Sequence, residues 1–81
     1  MVHPVVCRAV SRCFTDTSIS VRDAAVSLVG SYVLQTPAIA DIFHNSLVLR
    51  LDDVGVSVRR RTVKIFQEIL HTQQQYKIWR Q

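Results

Sequence analysis

The chain has 81 residues and a net charge of +4, with 48% hydrophobic and 20% charged residues. Two glycines and two prolines leave little room for a hairpin-rich fold. No apolar run reaches the length needed to cross a bilayer, and Met1 is not followed by a secretory-leader pattern. A core this small, without staples, supplies no more than roughly 3–5 kcal/mol.

The cysteines provide no staple. Cys7 and Cys13 stand six apart on one predicted helix, a rise of about 9 Å, against the roughly 4.4–6.8 Å Cα separation of a disulfide. Two reduced thiols in an intracellular protein are the expectation.

Four helices are predicted in chain order. The first covers about residues 4–14, with Val6, Val10, Cys13 and Phe14 at helical spacing. Residues 15–18 break it. The second covers about 19–34, with Ser18 or Ser20 as N-cap, and Asp23 three residues after Ser20 makes a capping-box-like arrangement. Gln35, Thr36 and Pro37 end it, and Pro37 suits the first turn of the third helix. That helix covers about 37–51, with Ile39, Ile42, Phe43 and Leu47 on one face. Residues 52–55 form a turn, and the fourth helix covers about 56–71. Gln73, Gln74 and Gln75 then lead into Tyr76, Lys77, Ile78 and Trp79, which predicts the start of a fifth helix.

The chain repeats itself. Asp16-Thr17-Ser18-Ile19-Ser20-Val21-Arg22 recurs as Asp53-Val54-Gly55-Val56-Ser57-Val58-Arg59, a shift of 37 residues. The echo continues: Val26 matches Val63, Leu28 matches Ile65, Val29 matches Phe66, Tyr32 matches Ile69 and Val33 matches Leu70. A period near 40 with helical spacing defines two-helix solenoid repeats of HEAT type. The predicted fold is thus all-α, an α-solenoid of two helix pairs, about 4–34 and 37–72, plus the start of a third at about 74–81. On the fourth helix Val58, Thr62, Ile65, Phe66, Ile69, Leu70 and Val63 span an arc about 160° wide. That is more than one partner helix covers, so the chain reads as an excerpt of a longer array.

Charge is unevenly placed. Residues 1–54 hold Arg8, Arg12, Arg22 and Arg50 against five aspartates, while residues 55–81 hold Arg59, Arg60, Arg61, Lys64, Lys77 and Arg80 against Glu68. Arg22 and Arg59 fall inside the apolar arcs of their helices. A charge placed twice in a packed face needs a partner, and the preceding loops offer Asp16 and Asp53. The expectation is a structural Asp–Arg ladder of Asp16, Arg22, Asp53 and Arg59. Arg60, Arg61 and Lys64 fall on the polar face, where the first repeat has Asp23, Ala24 and Ser27. The repeat architecture therefore does not require this basic patch. It is either a solvated face or a contact for nucleic acid or an acidic protein.

Nothing in the residue pattern points to catalysis, a cofactor, a metal or a small-molecule substrate. His3, His44 and His71 are far apart, neither cysteine forms a C-x-x-C, and there is no glycine-rich phosphate loop or nucleophile elbow. Capping explains most of the acids.

The two echoed blocks resemble a particular family. Ser18-Ile19-Ser20-Val21-Arg22-Asp23-Ala24-Ala25-Val26 with Leu28-Val29-Gly30, and Asp53-Val54-Gly55-Val56-Ser57-Val58-Arg59-Arg60-Arg61 with Lys64-Ile65, resemble the HEAT region of the sister-chromatid cohesin loader, Nipped-B or adherin. The resemblance covers about residues 14–72. It implies a nuclear, chromatin-associated HEAT protein without an active site, which loads the cohesin ring onto DNA by binding its kleisin and ATPase subunits and duplex DNA. Arg59, Arg60, Arg61 and Lys64 match the family's basic run. The other reading of the repeats is a general protein–protein scaffold: a phosphatase scaffold, transport receptor or condensin-like subunit.

Overall fold

A computed structural model describes residues 4–80, with side chains described through Thr72. Its elements are α1 (Pro4–Phe14), α2 (Ile19–Gln35), α3 (Ala38–Arg50) and α4 (Val56–Arg80).

Local chemistry sets the boundaries. Ser18 is the N-cap of α2, in an extended conformation (φ −81°, ψ 126°), and its hydroxyl accepts from the Val21 N–H. Asp16 Oδ1 accepts the Ser18 N–H at 2.8 Å, which closes the loop before the cap. The helix ends where the Thr36 N–H returns to the Tyr32 carbonyl, immediately before Pro37. In the second loop Asp53 Oδ1 accepts the Gly55 N–H at 2.8 Å, the counterpart of the Asp16–Ser18 bond one repeat on.

The helices pair as α1 with α2 and α3 with α4, and the pairs stack. α2 packs against all three other helices, and α1 also meets α3. The core runs through both pairs: Phe14, Ala25, Val26, Val29, Val33, Ile39, Phe43, Leu47, Val58 and Ile65. Phe14 and Phe43 join α1 to α3 with ring centroids 5.9 Å apart. α2 and α4 approach most closely at Gly30, where a Cβ would lie 2.6 Å from Ile65 Cδ1. Thr62 is fully buried at the same junction, and its hydroxyl donates to the Val58 carbonyl at 2.7 Å.

Echoed positions do not share an environment. Val26 and Val33 are 0% and 4% exposed, whereas Val63 and Leu70 are 43% and 58% exposed. α4 covers the first set. On the opposite side Ile65 is 7% exposed and its echo Leu28 is 43%.

One expectation is corrected. α4 does not stop at His71. It continues to Arg80, so the predicted start of a third repeat at 74–81 is an extension of α4, and Gln81 lies outside the described residues. The glutamines are good helix formers, and no Gly or Pro follows them to end the helix. The side chains of Tyr76 and Trp79 lie outside the described set.

Candidate interaction surface

Asp53 is the charged centre of the molecule. It lies in the loop before α4, and its side chain is almost wholly buried. Its carboxylate takes a two-pronged pair from Arg22 on α2, Nε to Oδ2 at 2.8 Å and Nη2 to Oδ1 at 2.9 Å. Arg50 Nη1, at the end of α3, donates to Oδ2 at 2.8 Å. Together with the Gly55 N–H, these donors nearly saturate the carboxylate. The Arg22 hydrogen bond above all holds the Asp53 carboxyl down from 3.8 to about 2, helped by the Gly55 N–H and the charges of Arg22 and Arg50, against a desolvation that opposes it. The same bond raises the Arg22 pKa.

The ladder residues of the sequence reading are placed as follows. Arg22 spans the two loops. Its third nitrogen, Nη1, donates to the Asp16 carbonyl at 2.8 Å and the Thr17 carbonyl at 3.2 Å. Its carboxylate comes from Asp53 of the second pair, while the Asp16 carboxylate caps its own loop. Arg59 repeats half of this arrangement: its Nη1 donates to the Asp53 carbonyl at 2.6 Å. Arg50, which the sequence counts only toward the charge balance, joins this ladder through Asp53. The available signal was a base three residues before an acid at a helix end.

The three basic residues of the polar face divide. All are exposed, but Arg61 Nε is tied to Asp23 Oδ1 on α2 at 2.6 Å. Arg60 and Lys64 have no ion pair among the described residues. They line an open groove of about 530 Å³ with Arg59, Val63, Gln67 and Leu51. Lys64 and Arg61 also flank a crevice between α2 and α4 beside Ser27 and Ser31. A surface of this kind can attract anions or acidic partners. Among the described residues there is no group of three or more His, Cys, Asp or Glu placed to hold a metal, and no helix long and apolar enough to cross a membrane.

Comparison with known proteins agrees with this architecture. A family model described as a HEAT repeat associated with sister chromatid cohesion matches residues 1–29. The chain is 48% identical to the Nipped-B protein of Drosophila melanogaster over 60 residues, 74% of this chain and 3% of that protein. It is 46% identical to the human Nipped-B-like protein over 54 residues, 67% of this chain and 2% of that protein. With the Nipped-B-like protein scc-2 of Caenorhabditis elegans the identity is 34% over 62 residues, 76% of this chain and 3% of that protein. No solved structure matches.

Stacked helix pairs joined by a buried Arg–Asp bond define the class: an α-solenoid segment of HEAT repeats. The shared residues then place this segment in the sister-chromatid cohesin-loader family, Nipped-B. It spans about 2–3% of the length of those relatives.

Proposed function

We propose that this chain is a scaffold element of cohesin loading, nuclear and chromatin-associated, that binds cohesin subunits (kleisin and ATPase) and duplex DNA and catalyses no reaction itself. Family membership supports the cohesin half of this reading. For the DNA half the supporting observation is the Arg60–Lys64 pair. These cations are one helical turn apart, exposed, and have no carboxylate partner among the described residues. The first repeat has Asp23 and Ser27 in their places, so the fold does not need them. Such a pair neutralises phosphates without reading bases.

Fluorescence anisotropy of the 81-residue chain on a short labelled duplex, across a salt series, tests this. Arg60→Glu with Lys64→Glu is expected to weaken binding at low salt and to reduce the slope of log K against log salt by about 2. Unaltered affinity and slope in that variant would remove DNA contact from this surface.

A further inference from the structure

Ser57 lies on the first turn of α4, directly after Val56. It is exposed, and its hydroxyl makes no hydrogen bond among the described residues. The loop before it is open as well, with Val54 84% exposed. Arg59, Arg60 and Arg61 follow. Arg60 and Arg61 are exposed and stand three and four residues on, beside Ser57 on the helix surface.

We propose that Ser57 is a phosphorylation site for a kinase that selects arginines C-terminal to its acceptor, and that Arg60 and Arg61 capture the phosphate, which withdraws Arg60 from duplex DNA. The capture stands apart from the DNA reading; its effect on DNA rests on that reading.

The echoed serine supplies the contrast. Ser20 holds the same place at the start of α2 and is also exposed. Asp23 and Ala24 follow it where Ser57 has Arg60 and Arg61. Arg22, the arginine two residues on, is buried against Asp53. Of the two serines, only Ser57 offers exposed C-terminal cations to an acidic kinase groove, and a phosphate on Ser20 would meet the Asp23 carboxylate. Ser18 and Ser31 are already engaged, one accepting the Val21 N–H and the other donating to the Ser27 carbonyl.

In the transfer, the γ-phosphorus of ATP bonds to Ser57 Oγ as its bond to the β–γ bridging oxygen breaks. ADP leaves, and the hydroxyl proton passes to the kinase's base. The product carries a charge of about −2 and three acceptor oxygens. An acid one turn before a base is the favourable order on a helix, and the first turn of α4 holds no acid to oppose the new charge. Arg60 has no ion pair among the described residues and is taken first. Arg61 is shared with Asp23, its side chain 46% exposed.

The site is tested by treating the 81-residue chain with ATP and a serine kinase selective for arginine two to four residues after its acceptor, then mapping it by mass spectrometry. Phosphate is expected on Ser57 and not on Ser20. Ser57 left bare, or Ser20 modified as readily, would overturn the assignment. The capture is read on a chain with phosphoserine built in at position 57 by peptide ligation. Its phosphorus NMR titration should lie about half a unit below that of the same chain with Arg60→Gln and Arg61→Gln, at equal helicity by circular dichroism. The variant should titrate near the ordinary value of about 6. Equal titrations would overturn the capture. Phosphate on Ser57 should also weaken duplex binding at least about threefold at low salt and reduce the slope of log K against log salt by about 1; equal binding by the two forms would overturn the effect on DNA. A parent chain that binds no duplex removes the DNA reading and this effect with it, while the phosphorus titration still decides the capture.

Discussion

Asp53→Asn tests whether the buried carboxylate holds the two helix pairs together. The replacement keeps the size and an oxygen for the Gly55 N–H, but it removes the charge and sets an NH₂ among the donors of Arg22 and Arg50. Arg22, with a side chain 8% exposed, would remain charged with only the Asp16 and Thr17 carbonyls for partners. Removing one partner of a buried ion pair costs about 3–5 kcal/mol, which is the whole stability open to a core of this size, roughly 3–5 kcal/mol. The variant is therefore expected to be largely unfolded at 25 °C, as read by far-UV circular dichroism in a urea series.

Asp16→Asn is the control. It stands at the echoed position, but its carboxylate is exposed and caps only the Ser18 N–H. Asn keeps an oxygen for that N–H, so the change is expected to cost no more than about 0.5 kcal/mol. Replacing both partners, Arg22→Met with Asp53→Leu, should recover most of the stability, because an apolar pair of similar volume substitutes for a buried ion pair at little cost. The reasoning fails if Asp53→Asn unfolds within about 0.5 kcal/mol of Asp16→Asn.

Two further outcomes follow from the same junction. The Asp53 carboxyl is held at about 2 against an ordinary 3.8, so its contribution is complete above about pH 4 and is lost as the pH falls through 2. With allowance for screening this amounts to about 1–2 kcal/mol, and urea midpoints between pH 4.5 and 2 should show it as a slope absent from Arg22→Met with Asp53→Leu. Gly30→Ala would place a methyl 2.6 Å from Ile65 Cδ1. Overpacking of about 1–3 kcal/mol outweighs the roughly 0.5–1 kcal/mol gained in helix preference, so the thermal midpoint should fall, and Ile65→Val in the same chain should restore part of it.

The positions of the first three helices and the start of the fourth, the stacked-pair architecture and the two special arginines are legible because each rests on short-range pattern: apolar spacing, caps and a shift of 37 residues. Arg22 and Arg59 were conspicuous as charges inside apolar arcs. What sequence could not supply was which acid meets which base across the stack. An aspartate lies six residues before each arginine, which suggests pairing within a repeat. Stacking instead brings the second loop's Asp53 to the first repeat's Arg22, 31 positions away, and Arg61 to Asp23, 38 positions away. The end of the fourth helix was misplaced for a different reason. The glutamine run interrupts the apolar spacing without disfavouring the helix, so periodicity ends before the backbone does.

The placement of the buried bond between the pairs, rather than within one, explains how such a small segment keeps one register. Apolar faces of Val, Leu and Ile slide against each other at modest cost, since hydrophobic burial has no direction. A slip of one helical turn, about 5.4 Å, would separate Arg22 from Asp53 and leave a buried guanidinium without its carboxylate. The same slip would move Ile65 off Gly30, the one position of α2 bare enough to receive it. Apolar contact holds the pairs together; the Arg22–Asp53 bond and the Gly30 notch decide how they meet.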